Sequence, residues 1–262
     1  MKYFGALQAF SCNFVAVTCP VGAVPNNDFE IKEVARGTDM PVASALPALM
    51  RKVYVWMTLA LVITGFTAYA VATSPALLMA IVGNRFVLLG LIVAELALVV
   101  GISGAINRLS LTAATLMFVL YSVINGATLS VVFLAFTMSS ITSVFFITAG
   151  TFATMALVGY TTKKDLTSMG RMLFMALIGL VIATVVNMFM RNSGLDMILN
   201  YVGVLVFVGL TAYDTQKIKE QLMMAGDAGE AWQKMALVGA LTLYLDFINL
   251  FLYLLRILGK RE

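Results

Sequence analysis

The chain has 262 residues, 61% of them hydrophobic and 11% charged, with a formal net charge of +4. That is more apolar surface than a soluble core of this length can hide, so composition excludes a soluble globular domain and indicates a polytopic membrane protein. The positive balance does not point to nucleic acid, because lysines and arginines gather at the ends of apolar segments, where membrane topology places them.

Residues 1–50 stand apart. They hold four of the five prolines and a polar, mixed-charge patch, NNDFEIKEVARGTD, and are expected to form a disordered N-terminal arm ahead of a transmembrane domain over 51–262. A signal peptide over 1–24 is rejected, since Gln8, Ser11 and Asn13 interrupt its apolar stretch. Cys12 and Cys19 read as two ordinary cysteines of this arm, with a disulfide or a C-x6-C metal site as the alternatives.

From Lys52 onward, apolar runs of span length follow one another with short polar breaks. Spans are expected near 53–73, 86–106, 111–135, 141–161, 172–190, 197–222 and 235–257. The fold class is therefore all-α, with seven transmembrane helices. The third is long enough to tilt, and the sixth ends in a polar extension, DTQKIKEQ. With the N-terminus cytoplasmic, that side receives Arg51, Lys52, Arg108, Lys163, Lys164, Arg171, Lys217, Lys219 and Lys234, against Arg85, Arg191, Arg256, Lys260 and Arg261 outside. This asymmetry favours the N-in orientation. The basic tail LRILGKRE is discordant: seven crossings put it outside, whereas a re-entrant last segment would return it to the cytoplasm.

Acids inside the spans carry the functional signal. Asp246 stands near the middle of MALVGALTLYLDFINLFLYLL, where a charge costs roughly 2.5–3.5 kcal/mol on an insertion scale, so it needs a partner or a water path. Asp214 of TAYDTQ lies on the preceding helix. A hairpin turning near residue 230 puts each acid some eight or nine residues from its polar end, about 12–14 Å along the axis, so the two share one depth. Glu95 is ten residues into the second span and is either a protonated, backbone-bonded side chain or part of an ion path. Polar and small residues mark the faces where helices meet: Thr242, Asp246 and Asn249 on the last span, Gly203, Thr211 and Asp214 on the sixth, Ser122, Asn125 and Gly126 on the third. Asn125 and Asn249 are candidate ion-path residues; ordinary interhelical hydrogen bonding is the competing account. Arg108 closes the second span, as a snorkelling anchor or as a gate partner of Asp214.

Several functions are excluded by missing residues. No lysine stands inside a span to carry a retinal Schiff base, and the chain has no histidine, so zinc proteases and rhomboid-like serine proteases are ruled out. Tyr213-Asp214 with Asp246 reproduces the two-aspartate layout of presenilin-like proteases, but the second acid sits in LYLD rather than GxGD and no proline follows it. An intramembrane aspartyl protease is thus a remote alternative, and the chain is expected not to be an enzyme.

The segments MRKVYVWMTLALVITGFTAY, AELALVVGISGAINRLSLTAATLMFVLYSVINGATLS, GYTTKKDLTSMGRML, YVGVLVFVGLTAYDTQKI and ALTLYLDFINLFLYLLRILG together resemble the bacterial branch of the Bax inhibitor-1 family, over roughly 49–260. The resemblance implies a fold whose last helix is surrounded by the other six. It also implies a pH-sensitive calcium leak, in which Asp214 and Asp246 form the sensor and an arginine, here Arg108, latches the first aspartate until the pair is protonated. It implies the inner membrane of a bacterium as location, with the membrane protease FtsH as a candidate partner.

The residues agree with that expectation on their own terms. With no histidine available, two carboxyl groups sharing a proton are the obvious pH-responsive unit. Ionised, they offer hard oxygens suited to Ca2+, as a weak site for a permeant ion. No cofactor is expected. A cation- or proton-coupled transporter and a non-conducting regulator acting through partners are the alternatives; counter-flux would mark the first, and absence of flux the second.

Overall fold

The computed structural model describes residues 42–106, 108–224 and 229–260, and these residues form helices joined by short connections. In chain order they are α1 (Val42–Thr73), α2 (Pro75–Val82), α3 (Arg85–Ala105), α4 (Leu111–Leu129), α5 (Val132–Ala135), α6 (Met138–Thr161), α7 (Thr167–Met190), α8 (Ser193–Met224) and α9 (Glu230–Leu258). Among the described residues seven segments are long and apolar enough to cross a membrane, α4 and α5 counting as one. The protein is a polytopic, all-α membrane protein. Of the arm expected over 1–50, residues 42–50 form the first turns of α1 instead, and residues 1–41, with the two cysteines, lie outside the described residues.

The helices begin where the chain supplies acceptors for their free amides. Asn84 Oδ1 accepts from Phe86 N at 3.0 Å, Ser110 Oγ from Ala113 N at 3.2 Å, and Asn192 Oδ1 from Gly194 N at 2.9 Å. Several helices begin a few residues ahead of the expected spans, and two departures go further. The first helix starts at Val42 and runs through Pro47, with Leu46, Leu49 and Met50 already buried, so apolar packing extends it ahead of residue 53. The third span breaks at Ser130–Val131 instead of running straight through: Phe133 N bonds Ser130 O at 3.1 Å, and Ser130 N bonds Ala127 O at 3.4 Å. These tight i→i+3 turns keep the backbone paired where no water is available.

α9 sits at the centre, in contact with α8, α1, α6 and α4. Of its most apolar stretch 83% is buried, against 22% for α7, whose outer faces are left to lipid. Leu241, Leu243, Tyr244 and Leu250 of α9 are fully enclosed. Lipid tails give apolar helices little reason to associate, so contact depends on close backbone approach. Between α6 and α8 this is taken to its limit, because a Cβ on Gly159 would collide with the Ala212 carbonyl.

The two ends of the bundle are separately tied. At one end Lys52 Nζ lies 5.4 Å from the ring centre of Trp232, and Glu230 Oε1 accepts from Leu111 N at 3.1 Å. At the other, Thr137 N bonds Lys260 O at 3.2 Å, and Lys260 N bonds Ser140 Oγ at 3.0 Å. The last helix, 29 residues without a break, therefore crosses the bundle, and the tail emerges opposite Lys52. This helix has none of the mid-helix break that a re-entrant hairpin would need.

Candidate functional site

α8 ends at Met224 and α9 begins at Glu230, so the two helices are antiparallel neighbours and Asp214 and Asp246 face each other. Their carboxyl groups share a side-chain hydrogen bond. Such a bond requires a proton, since an ionised carboxylate only accepts. The two residues are 7% and 3% exposed, and Asp246 Oδ2 makes no hydrogen bond among the described residues. Leaving a buried carboxyl oxygen unpaired is expensive. The pair is enclosed but not saturated.

Its counter-charge comes from its own helix. Lys217, three residues after Asp214, is within electrostatic reach of it, and Lys217 Nζ donates to Tyr213 Oη at 3.2 Å. Arg108 is elsewhere: its side chain is exposed in the α3–α4 connection, its amide closes a turn on Ala105 O at 2.8 Å, and no ion pair joins it to Asp214 among the described residues. The structure brings the two aspartates together and leaves Arg108 out.

On another side of α9 lies a second buried polar group. Thr128 Oγ1 of α4 donates to Glu95 Oε1 of α3 at 2.7 Å and stands 2.9 Å from Asn125 O. Tyr244 Oη of α9 donates to Asn125 Oδ1 at 3.1 Å and is 2.7 Å from Thr64 Oγ1 of α1, which also reaches Ser122 O at 3.0 Å. Asn125 Nδ2 completes its bonding at Tyr121 Oη, 3.4 Å away. Glu95 and Asn125 thus belong to one network, separate from the aspartates. Asn249, one turn beyond Asp246, donates to Leu245 O at 2.8 Å. Thr211, Ser122 and Thr242 turn back onto carbonyls four residues earlier in their own helices.

Sequence reasoning missed Thr64, Thr128 and Tyr244, because isolated hydroxyls among apolar residues give no spacing signal, and a tyrosine in LYLD reads as one more large apolar residue. It also missed Gln216 and Lys217, which look like part of a solvated helix end. The helical offsets of 214 and 217 were a usable clue, since i and i+3 share a face.

Among the described residues no group of three or more Cys, Asp or Glu could hold a metal ion. Two carboxylates alone fall short of the roughly six to eight oxygens of a stable Ca2+ site. The arrangement suits a proton held between two acids.

The family model described as "Inhibitor of apoptosis-promoting Bax1" matches residues 46–262, which takes in the helical bundle from the second turn of α1 onward and both aspartates. The chain belongs to the Bax inhibitor-1 family. It is 50% identical to the inner membrane protein YbhL of Escherichia coli strain K12 over 222 residues, 84% of this chain and 94% of the relative. It is 47% identical to an uncharacterised protein of Borreliella burgdorferi (81% of this chain, 92% of the relative) and 42% identical to one of Rickettsia prowazekii (81% and 89%). None of these three carries an enzymatic name.

Proposed function

We propose that this Bax inhibitor-1 protein is a pH-sensitive cation leak of the bacterial inner membrane, with calcium as permeant ion and Asp214 and Asp246 as the sensor. The observation that carries this reading is the carboxyl-to-carboxyl contact, buried in the bundle with Asp246 Oδ2 unpaired. The inner-membrane location follows the name of the Escherichia coli relative, and a cytoplasmic N-terminus follows the distribution of Lys and Arg. A proton between the acids holds α8 against α9. Its loss leaves two like charges in contact in a poor dielectric, where a divalent cation is the natural replacement. Proton and calcium therefore compete for the pair, and with so few ligands the cation is not retained. No enzymatic step is involved. Because Lys217 rather than Arg108 stands beside Asp214, the arginine latch plays no part in the closed state proposed here.

Purified protein in calcium-loaded vesicles tests this reading. Flux should vary with pH, and raising calcium should move the midpoint to lower pH. Asp214→Asn and Asp246→Asn should each abolish the pH dependence. A non-conducting regulator, with a membrane protease as partner, takes the place of this reading if wild-type vesicles show no flux; obligatory counter-movement of a second ion would make the protein a transporter.

A further inference from the structure

One turn of α8, residues 212–216, touches a different part of the bundle with each side chain. Ala212 abuts Gly159 of α6, where a Cβ would meet the Ala212 carbonyl, and the Tyr213 ring lies in the space a side chain at Gly170 of α7 would fill. Asp214 meets Asp246 of α9, and Thr215 faces Tyr54 of α1. Gln216, 6% exposed, is spent entirely on the connection between α6 and α7: its Oε1 accepts from Leu166 N at 2.9 Å, and its Nε2 donates to Lys164 O at 2.9 Å and Thr162 O at 3.3 Å. One turn further, Lys219 Nζ donates to Tyr160 O at 2.8 Å and lies 4.9 Å from the Tyr160 ring centre. The Tyr160 carbonyl in the last turn of α6, and those of Thr162 and Lys164 just beyond it, are thus taken up by side chains of α8.

This geometry fixes both the height and the rotation of α8 at the site. A side-chain amide bonded to three backbone groups cannot follow a rotation of its helix, and Gly159 and Gly170 leave no slack for a slide. Residues 214 and 216 point to opposite sides of the helix, about 200° apart, so whatever holds Gln216 aims Asp214. We propose that Gln216 is a positioning residue for the carboxyl pair: by tying the 162–166 connection to α8 it sets the orientation at which Asp214 meets Asp246. The inference rests on the reading of that pair as a proton-sensitive site. Other titratable and charged groups around this turn are Tyr54 of α1, Tyr160 of α6, and Tyr213, Lys217 and Lys219 of α8, with Lys163, Lys164 and Asp165 exposed in the connection.

The test uses the full-length protein in lipid and two readouts. Gln216→Met keeps length and volume and removes all three hydrogen bonds; Gln216→Glu keeps only the acceptor for Leu166 N and serves if the first variant folds poorly. Amide exchange across 162–170 reports the tie, and the carboxylic-acid infrared band, assigned by its loss in Asp214→Asn, reports the pair as pH is varied. The expected result is exchange faster by on the order of tenfold together with a midpoint moved by about half a pH unit or more. Faster exchange with the wild-type midpoint, or unchanged exchange, overturns the positioning role while the pair's own titration stands. A wild-type band that does not titrate overturns the sensor reading and the inference with it.

Discussion

The central helix carries buried polar groups on two sides, and the two are finished differently. Around Tyr244, the hydroxyls and amides of Thr64, Asn125 and Thr128 close on one another and on Glu95, and none of their buried side-chain atoms is left without a partner. Around Asp246 one carboxyl oxygen has no partner among the described residues, and the bond that the other carboxyl makes depends on a proton. A saturated network resists change, because every displacement breaks a bond that nothing replaces. An unsaturated one has an alternative occupant. The contrast separates a saturated polar core from an unsaturated one within a few residues of a single helix.

Breaking the responsive side should have the largest functional effect. Asp246→Asn removes the carboxyl that Asp214 needs and should leave calcium flux flat across the pH range, with little loss of stability, since the amide can still bond Asp214. Stopped-flow flux and thermal unfolding of the same preparation would show the two effects apart. Tyr244→Phe should do the reverse. Deleting its hydroxyl removes the bonds to Asn125 and Thr64, at a cost of about 1–3 kcal/mol, and should lower the melting temperature in detergent while the pH midpoint of flux stays in place.

A smaller effect is expected at the polar end of the bundle. Glu230 is held below its ordinary value of 4.5 by its hydrogen bond with Lys234, by the Leu111 amide and by the charge of Lys234. A carboxyl whose value is lowered on folding stabilises the fold only while ionised. The clamp between α9 and α4 is therefore intact at neutral pH, begins to weaken below about 4.5, and is gone once pH has fallen through the lowered value. Glu230→Gln should remove that acid-range contribution without touching the midpoint near the aspartates. Added salt should weaken the wild-type clamp too, because Glu230 is well exposed. The smallest effect is expected at Arg108. Its side chain is exposed and makes no ion pair with Asp214, so Arg108→Ala should leave flux and its pH profile unchanged, whereas Lys217→Gln should move the profile.

Much of this was legible in the sequence for a physical reason: lipid forces each crossing to be an unbroken apolar run of nearly fixed length, so the positions of seven helices, and the one-depth relation of Asp214 to Asp246, follow from counting. Burying acids is costly enough that their presence alone names candidates. What counting does not reveal is rotation about the helix axis and which end groups meet. Gln216 stands in DTQKIKEQ, a stretch that reads as solvated, and is buried only because the α6–α7 connection folds over it. Arg108 was placed at the right end of its helix, but its depth could not be told from its direction. The break at Ser130–Val131 was missed because both residues fit within a span and no proline or glycine stands at the turn.

The most direct test of the central claim is calcium flux from vesicles between pH 5 and 8 (roughly the range that buried carboxyl pairs reach) for the wild type, Asp214→Asn and Asp246→Asn at equal protein content. Flux that changes steeply with pH in the wild type and is independent of pH in both variants is the predicted result. Wild-type pH dependence retained in both variants would contradict the assignment of the sensor to this pair.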